Sequence, residues 1–430
     1  MKFDADQLAA LARINESRNV FVTGPAGTGK SSITVEAIRQ RLGDRGLRVC
    51  ATTGVAAINL RDKLAAIFGQ HVDTSTVYRW AGIGLGPKQN QPWEDYIEHM
   101  QSRSFGWRAS VSRIRSTSIL IIDEVSMLPG AIIGFVDFLC RVIREDDRPF
   151  GGIQIVAVGD FLQLPPVSTT GMYDWAFMAR AWNEANFASV SLRTIHRQDD
   201  PQFISVLNQF RAGAIRTDSM RILMGRVAMF PRASVLRLMT HNTQVDRWNH
   251  MMLDACDGTT VEFHADVTGG EADRKALVSA MITPAVLRLR AWARVMVTAN
   301  LSDGAGGLLA ANGEVGTVLG WTREQVRVLL DNGRELDIEA HEWTLDPTVE
   351  HSAMFRQFPL RLAWASTIHK SQGLTLDEAL VDIRAAREPG QAYVAISRVR
   401  SLSGLHLKDA FKGVVFSPIA RDFHRKIEQQ

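Results

Sequence analysis

Short apolar runs recur along the first half of the chain, and stretches with helix-compatible composition separate them. The runs are NVFVTG, RVCATTG, SILIID and IQIVAVGD. Each run is apolar on both faces, and strands buried on both faces are typical of a parallel sheet covered by helices. The pattern therefore predicts an α/β unit in this half of the chain.

A comparable series occupies the second half, with the runs SVLRLMT, RVMVTAN, LRLAWAST and EALVDI. A chain of 430 residues is also too long for one ordinary hydrophobic core. The economical interpretation is two similar α/β units in tandem. We place them at residues 1–190 and 191–430.

Two segments interrupt this alternation. At about residues 80–115, AGIGLGPKQNQPWEDY and FGWRASVSRIR mix glycine, proline, tryptophan and arginine, so we expect an insertion in the first unit. At about residues 313–352, alternating runs flank Asn332-Gly333, a pair that favours a tight hairpin turn. We expect a small antiparallel β insertion there.

Composition narrows the class of protein. Hydrophobic residues make up 46% and charged residues 22%, which is typical of a globular protein, and the net charge of +3 neither requires nor excludes a nucleic-acid partner. The three cysteines lack the paired spacing of a metal site and fit a reducing compartment. We find no secretion signal and no run near the roughly 20 apolar residues that cross a bilayer, so we expect a soluble intracellular protein without a membrane partner.

A complete phosphate loop, GPAGTGKS, follows the first apolar run and precedes a helix-compatible stretch. Its residues are Gly24, Pro25, Ala26, Gly27, Thr28, Gly29, Lys30 and Ser31. In this context the backbone N–H groups cradle phosphates, Lys30 reaches the terminal phosphates and the Ser31 hydroxyl can bind Mg²⁺. The loop predicts that ATP or GTP binds here.

Two further apolar runs end in polar residues. SILIIDEVSML ends in Asp123-Glu124, and ligand sites of open α/β sheets lie at such strand ends. We expect Asp123 to hold Mg²⁺ through water and Glu124 to orient and deprotonate the attacking water. VAVGDFLQLPPV places Gln163 where it can sense the terminal phosphate, and the two prolines that follow fix the direction of the segment.

These motifs, together with ATTGVAA, PFGGIQ, TIHRQ, TIHKSQG and AISRVRSLSGL, make the chain resemble the Pif family of DNA helicases, in superfamily 1 subgroup B, whose relatives include RecD and Dda. The resemblance extends from Asp6 to about Leu407. It implies two tandem RecA-like P-loop domains with ATP and Mg²⁺ between them, a wedge in the first insertion and an SH3-like barrel in the second. It also implies a cytoplasmic location in a bacterial or phage context, and a nuclear or mitochondrial one in a eukaryote.

The activity that the resemblance implies is ATP-driven translocation, 5′ to 3′, along single-stranded DNA. The enzyme would separate forked or tailed duplexes and would act as a monomer in its basic activity. Arg197 of HRQ and Arg398 of AISRVR match arginines that face the nucleotide from the second domain, and a guanidinium stabilises charge on the transferred phosphoryl group. Gln7 matches a glutamine set against adenine, and Gly373 lies in a nucleotide-binding motif.

A path for single-stranded DNA needs cations and hydroxyls for phosphates and aromatic faces for bases. The candidates that the resemblance implies are Thr53, Gly54, Thr76, Tyr78, Trp80, Thr367, His369 and Lys370, with Phe105 and Trp107 as the wedge. The chain departs from the family where relatives have T-x-H-S-F, because it reads Thr76-Val-Tyr78-Arg79-Trp80. The stretch RDKLAAIFGQHVDT that precedes this motif is an extra one, which loosens the match there.

Two other classes of protein share some of these features. A nucleic-acid-binding regulator could use ATP as a conformational switch without unwinding DNA, but the full set of nucleotide residues argues against a decayed ATPase. A P-loop kinase or transport ATPase would explain the phosphate loop and leave HKSQG and the second unit without a role.

Overall fold

The structure is a computed structural model, and it describes residues 3–70, 72–84, 86–88, 91–102, 104–168, 170–227, 235–302, 308–344 and 352–429. The first half of the chain folds around a sheet in which neighbouring strands run parallel. Its strands are β1 (Val20–Thr23), β2 (Leu47–Ala51), β3 (Thr74–Thr76), β4 (Ile119–Asp123), β5 (Gln154–Val158) and β6 (Ala188–Ser191). This sheet and its helices are called the first lobe below.

The strand order explains how the motifs of the first lobe meet. The order across the sheet is β3-β2-β4-β5-β1-β6, so β4, β5 and β1 are neighbours. The phosphate loop follows β1, Glu124 follows β4 and Asp160 lies just beyond β5. Because the carboxyl ends of parallel strands share one edge of a sheet, the three motifs lie side by side there.

Helices cover this sheet, and polar caps fix where several of them begin. The helices of the first lobe are α1 (Ala5–Asn15), α2 (Lys30–Arg39), α3 (Gly54–Phe68), α4 (Val77–Ala81), α5 (Trp93–Ser102), α6 (Ser104–Ser116), α7 (Gly130–Arg144) and α8 (Arg180–Glu184). Asp4 and Gln7 form a reciprocal capping box at the start of α1. Thr53 and Thr76 cap α3 and α4 by accepting a backbone N–H.

The connection from α7 to β5 is held by a buried carboxylate. Asp137 accepts hydrogen bonds from the Phe150 backbone N–H at 2.6 Å and from Arg141 Nε at 2.9 Å. Phe150 and Gly151 both have positive φ, 54° and 60°. The PFGG segment is therefore a fixed turn that leads into β5.

The second half contains two kinds of sheet. Its strands are β7 (Arg237–Met239), β8 (Val261–His264), β9 (Asp266–Thr268), β10 (Val286–Leu289), β11 (Arg294–Val297), β12 (Leu301–Ser302), β13 (Leu308–Ala310), β14 (Val315–Trp321), β15 (Gln325–Leu330), β16 (Glu335–Glu339), β17 (His341–Thr344), β18 (Met354–Gln357), β19 (Leu360–Leu362), β20 (Ala365–Thr367), β21 (Ala379–Val381) and β22 (Leu405–Leu407). The helices are α9 (Pro201–Ala212), α10 (Thr217–Met224), α11 (Asn242–Asp254), α12 (Glu271–Ala280), α13 (Gln391–Ile396) and α14 (Pro418–Glu428). Strands β20-β7-β21-β22 form a parallel sheet, and this sheet with the elements from α9 to β22 is called the second lobe.

The antiparallel part of the second lobe is larger than the sequence predicts. Strands β16-β15-β14-β11-β19 form one antiparallel sheet, and β17-β18-β9 form another. The predicted hairpin at Asn332-Gly333 is confirmed, since β15 and β16 pair across it. The interpretation of RVMVTAN as a strand of the parallel sheet is wrong, because β11 pairs antiparallel with β14 and β19. Residues 345–351 of the predicted insertion lie outside the described part of the chain.

The run LRLAWAST divides between the two sheets. Its first residues form β19 in the antiparallel sheet and its last form β20 in the parallel sheet. A run that is apolar on both faces is expected wherever a strand is covered on both sides, so the run alone does not reveal strand direction.

The first insertion forms α5 and α6, and these helices pack on the first lobe. The Trp93 ring lies edge-on to Phe135 of α7, with centroids 5.9 Å apart. Trp107 is half-buried against the same core. Residues 85, 89, 90 and 103 lie outside the described part.

The last helix returns to the first lobe. The Phe423 ring of α14 stacks on Phe177 with centroids 4.2 Å apart, and Phe21 of β1 lies 6.1 Å away. Ala420 is fully buried in the same cluster. The chain therefore passes between the lobes twice. In the described ranges, no helix is long and apolar enough to cross a membrane.

Candidate nucleotide site and nucleic-acid interface

The phosphate loop has the backbone shape that its glycines allow. Gly27 and Gly29 have φ of 83° and 84°, in the region that favours glycine. A Cβ on Gly29 would lie 2.5 Å from the amide nitrogen of Gln7, and one on Gly27 would lie 2.6 Å from Cβ of Arg197. The loop is thus packed between the N-terminal helix and the segment that carries Arg197.

Lys30 opens α2 and bends its ammonium group back over the loop. Its Nζ donates to the carbonyl oxygens of Gly24 at 2.7 Å and Pro25 at 3.0 Å. Burial lowers the pKa of Lys30, and the carboxylates of Asp160 and Glu124 counteract part of that shift. The ammonium is therefore confined to the position where terminal phosphates are expected.

Gln7 lies against the phosphate loop, and its contact with adenine stays a prediction. Its side-chain Nε2 donates to the Thr28 carbonyl at 3.2 Å and lies 3.5 Å from Nε2 of His196. His196 lies 3.3 Å from the Asp4 carboxylate. The residue is 4% exposed, so Gln7 is enclosed between the phosphate loop and His196.

Asp123 and Glu124 share a strained turn at the end of β4. Glu124 has φ 53° and ψ 40°, and its N–H donates to the Asp123 carboxylate at 3.0 Å. Burial, followed by the neighbouring charge of Asp123, raises the pKa of Glu124 to about 7. Burial also raises the pKa of Asp123. The pair therefore differs from a solvated corner of two acids.

Gln372 of the second lobe reaches across to this pair. Its Nε2 donates to Oε2 of Glu124 at 2.9 Å. The sequence places Gln372 only inside the HKSQG cluster, and no local signal assigns it to Glu124. The bond shows that HKSQG lies at the nucleotide cleft.

Gln163 is tied to a buried ion pair. Its Nε2 donates to Oδ2 of Asp160 at 3.3 Å, and Arg211 of α9 donates two hydrogen bonds to the same carboxylate. Burial would raise the pKa of Asp160, but Arg211, then His424 and Lys30, hold that pKa well below its usual range. Arg211 and His424 are functional candidates that the sequence did not reveal.

Helix α13 of the second lobe and the residue before it contact the first lobe at two points. The Tyr393 hydroxyl oxygen accepts the N–H of Ala26, inside the phosphate loop, at 2.7 Å. Burial raises the pKa of Tyr393 to about 12, so the hydroxyl stays protonated. At the start of the helix, Gly390 lies against the Leu162 and Gln163 carbonyls, where a Cβ would come within 2.6 Å of the Leu162 oxygen.

The two predicted arginines lie together at this cleft. Arg197 donates to the Ser397 carbonyl at 3.1 Å, and Arg398 donates to the Val394 carbonyl and the Ser397 hydroxyl, both at 2.9 Å. Burial, followed by the charge of Arg197, lowers the pKa of Arg398 to about 9. The charge of Glu124 acts on both guanidinium groups, so the structure brings them into range of the predicted catalytic acid.

Three predicted DNA contacts share one geometry. Thr53, Thr76 and Thr367 each accept a backbone N–H through Oγ1, at 3.2, 3.1 and 3.3 Å. A hydroxyl that accepts in this way still has its own hydrogen to donate. Gly54 approaches the second lobe so closely that a Cβ would lie 2.6 Å from that of Ala280.

The prediction that Trp80 stacks on bases is contradicted by its burial. The ring is 1% exposed, and its Nε1 donates to the Thr117 hydroxyl at 3.2 Å. It belongs to the first-lobe core because α4 turns this face of its short amphipathic sequence inward. Tyr78 is half-buried against the same core.

The remaining predicted residues lie at the edge of the second lobe or in the first insertion. Nε2 of His369 lies 3.2 Å from the Glu388 carboxylate, and Lys370 is exposed. Gly373 has φ 85° and lines a cleft of about 780 Å³. Phe105 lies in α6, but its side chain is outside the described part of the chain.

Two lobes with parallel sheets thus share one cleft that contains a phosphate loop, paired acids, Arg398 of the opposite lobe and Arg197 of the segment between β6 and α9. This arrangement defines a P-loop enzyme with two RecA-like lobes. The family model described as PIF1-like helicase matches residues 2–221, and the chain belongs to this family.

Individual relatives match nearly the whole chain. The ATP-dependent DNA helicase Pif1 of Bdellovibrio bacteriovorus is 32% identical, covering 100% of this chain and 93% of that protein. Bacteroides Pif1 in complex with ADP-AlF4 is 30% identical with a TM-score of 0.81, covering 100% of this chain and 98% of that one. Bacteroides Pif1 bound to ssDNA is 29% identical with a TM-score of 0.67 and the same coverage. The chain is an ATP-dependent DNA helicase, and the predicted family, fold class and enzyme class are confirmed.

Proposed function

We propose that the enzyme hydrolyses Mg²⁺-ATP between its lobes and uses the cycle to translocate 5′ to 3′ on single-stranded DNA, separating duplex DNA ahead of it. The observation that carries the proposal is the bond from Gln372 to Glu124, because it joins a predicted DNA-side motif of one lobe to the catalytic acid of the other. We place the boundary between the two domains near residue 191.

Hydrolysis uses groups of both lobes. A pKa of about 7 lets Glu124 accept a proton from the attacking water at neutral pH, and Gln372 fixes its orientation. Lys30, Arg197 and Arg398 supply positive charge for the transferred phosphoryl group. Ser31 and Asp123 offer the hard oxygen atoms that Mg²⁺ prefers, and Ser31 is exposed at the start of α2. When bound, the ion would neutralise charge on the phosphate oxygens.

The movement of the second lobe relative to the first follows from contacts that span the cleft. Gln163 is in reach of both Asp160 and the backbone of Gly390, and Tyr393 holds the phosphate loop at Ala26. A shift of the terminal phosphate therefore acts on the second lobe through positions that are already in contact. A nucleotide that favours the closed arrangement shifts the equilibrium between closed and open lobes by its difference in affinity.

The nucleic-acid track runs over both lobes. Thr53 and Thr76 of the first lobe, and Thr367, His369 and Lys370 of the second, would grip the strand alternately. The ssDNA-bound Bacteroides relative supports the choice of DNA. The direction of movement rests on the family resemblance.

Duplex separation is assigned to the first insertion. Phe105 is the better wedge candidate, because Trp107 is half-buried in the first-lobe core. Phe105→Ala should slow duplex unwinding and leave DNA-stimulated ATP turnover intact. Equal unwinding by the variant and the wild type would remove the wedge from the proposal.

Forks are the proposed substrate, because a related structure describes DNA unwinding at forked dsDNA by two coordinating Pif1 helicases. Monomer action is therefore proposed for translocation on single strands only. Sedimentation of the enzyme on a single-stranded oligonucleotide and on a fork would distinguish one bound copy from two.

The test combines ATP turnover with unwinding. Wild type, Lys30→Ala and Glu124→Gln are compared with and without single-stranded DNA, and then on duplexes with a 5′ or a 3′ tail. We expect DNA-stimulated turnover in the wild type alone, and unwinding of the 5′-tailed duplex alone. Glu124→Gln should still bind ATP, which separates loss of hydrolysis from loss of the fold. Equal unwinding of both tails would refute the direction, and turnover without DNA stimulation would favour the regulator.

A further inference from the structure

Arg361 is a buried cation that lacks an acidic partner among the described residues. The residue lies in β19 and is 9% exposed. Its Nη2 donates to the Ser366 hydroxyl at 2.7 Å and contacts Met296 Sδ at 3.4 Å, while its Nε has no hydrogen-bond partner in the described part of the chain. Across the described ranges, no carboxylate lies within 4.0 Å of its guanidinium group. Burial alone lowers the pKa of Arg361 to about 10.

Such an arrangement is unfavourable for stability. A buried charge needs a counter-charge or a full set of hydrogen bonds, and apolar replacement of unpaired buried charges is often neutral or stabilising. Arg211 meets that requirement with two hydrogen bonds to Asp160. Arg398 is 2% exposed and donates to a carbonyl and a hydroxyl instead, and it lies at the nucleotide cleft. Arg361 resembles Arg398 in this respect, which indicates a function that requires an unneutralised guanidinium.

The surroundings of Arg361 supply a cavity for an anion. A cavity of about 260 Å³ is lined by Arg361 and Lys370, with Asn249, His250 and Thr283 on its walls. Although Lys370 reaches solvent, partial burial lowers its pKa and the charge of Arg361 lowers that pKa further, so the two cations lie close together. The charge of Asp246 has the opposite effect and raises the pKa of Lys370.

The cavity also lies next to the proposed DNA track. Ser366, which holds the Arg361 guanidinium, directly precedes Thr367 in β20, and Lys370 follows three residues later. A phosphate bound between Arg361 and Lys370 would therefore belong to the same strand that Thr367 contacts. A planar guanidinium matches phosphate oxygens better than a point charge does.

We propose that the cavity between Arg361 and Lys370 binds a backbone phosphate of the translocating single strand, with Arg361 as its principal ligand. This inference rests on the proposed function, since it requires the strand to pass Thr367. The bound phosphate supplies the negative charge that no carboxylate of the described ranges supplies to Arg361.

Arg361→Met is the decisive variant, and Arg221→Met is its control. Arg221 lies in α10, away from the residues that line the cavity, and its exposed side chain lies 3.4 Å from Asp218. The affinity for an oligothymidine is measured from low to high salt, together with the thermal midpoint of each protein. Inorganic phosphate is tested in parallel as a free anion.

We expect Arg361→Met to weaken oligothymidine binding about tenfold and to reduce the salt slope by about 0.7, the value for one single-strand phosphate. Its thermal midpoint should be unchanged or higher, whereas Arg221→Met should keep the wild-type slope. Arg361→Lys should keep the slope, because it keeps the charge.

Three results would overturn the proposal. One is an unchanged salt slope in Arg361→Met. Another is a fall of several degrees in its thermal midpoint with wild-type DNA affinity, which would assign Arg361 to the fold. The third is loss of a phosphate-induced stabilisation with wild-type DNA binding, which would indicate a site for free anions. Failure of the wild type itself to bind the oligothymidine would count against the proposed function instead.

Discussion

Arg211 in the second lobe donates two hydrogen bonds to Asp160 in the first, from Nε at 2.9 Å and from Nη2 at 3.0 Å. The carboxylate is fully buried, and it also accepts the side-chain amide of Gln163. Gln163, the proposed sensor of the terminal phosphate, is thus joined through Asp160 to α9, the first helix of the opposite lobe.

Loss of this pair should be costly. Arg211→Leu leaves a buried carboxylate without its counter-charge, and we expect the free energy of unfolding to fall by about 3–5 kcal/mol. Guanidinium denaturation of the variant measures the change. Arg221→Leu, at an exposed position of α10, is the control and should lie within about 0.5 kcal/mol of the wild type.

A double variant separates the ion pair from its packing. Arg211→Leu combined with Asp160→Leu removes both charges, and we expect it to be more stable than Arg211→Leu alone. A single variant within about 1 kcal/mol of the wild type would mean that the pair contributes little to the native fold.

The buried histidine beside this pair should make stability depend on pH. Burial lowers the pKa of His424 to about 3, from 6.5, with Arg211 and Lys30 adding to the shift and Asp160 opposing it. Its Nδ1 lies 3.5 Å from Arg211 Nη2, and its Nε2 lies 3.4 Å from Asp160 Oδ1 without the alignment of a hydrogen bond. The ring is therefore neutral in the folded protein at neutral pH.

Between pH 6.5 and 3 the unfolded chain binds a proton at His424 that the folded chain does not, so stability falls as pH falls through this range. We expect His424→Gln to lose less stability than the wild type between pH 7 and pH 5, by about 1 kcal/mol for each unit below 6.5. Urea denaturation at several pH values measures this difference. His99→Gln, at an exposed histidine, should keep the wild-type dependence, and a parallel curve for His424→Gln would contradict the prediction.

Gly390 tests the contact between the sensor segment and the second lobe. Its φ is 73°, and an added Cβ would meet the Leu162 and Gln163 carbonyls, so Gly390→Ala should displace α13 together with Tyr393. We expect DNA-stimulated ATP turnover to fall at least about tenfold, which is a barrier increase of about 1.4 kcal/mol. Gly413→Ala is the control, because its Cβ would meet no atom within 4 Å. Equal turnover by the two variants would show that this contact does not limit catalysis.

Trp80 should behave as a core residue. Trp80→Ala removes a buried aromatic side chain, and we expect a loss of about 3–5 kcal/mol in the free energy of unfolding. Trp80→Phe, which keeps most of the volume but loses the bond to Thr117, should fold and bind single-stranded DNA with wild-type affinity. Fluorescence anisotropy with a labelled oligonucleotide measures that affinity, and a large loss in Trp80→Phe would restore the stacking role.

The local sequence was sufficient to predict those site residues that lie at the end of a strand. The phosphate loop, Asp123-Glu124 and Gln163 each follow a buried run, and strand order then places them together. The partners Arg211, Tyr393 and Gln372 were not predictable in the same way. Each is hydrogen-bonded to a residue far away in the chain. The sequence around an arginine, tyrosine or glutamine does not indicate which distant group it contacts.

Two errors have the same physical origin. The motif around Trp80 is too short to show which face of α4 points inward, and the run RVMVTAN is apolar whether its neighbours are parallel or antiparallel. Periodicity reports that a side chain is covered, and it does not report what covers it.

The return of α14 to the first lobe has a mechanical consequence. Polypeptide connects the lobes after β6 and again before α14, and the second connection ends in an aromatic cluster around Phe423. A body attached at two points resists being pulled away or slid sideways, and its easiest movement is to swing about the line through both attachments. Nucleotide turnover would then rotate one lobe against the other rather than separate the two lobes. The rotation axis would pass through the two connections between them.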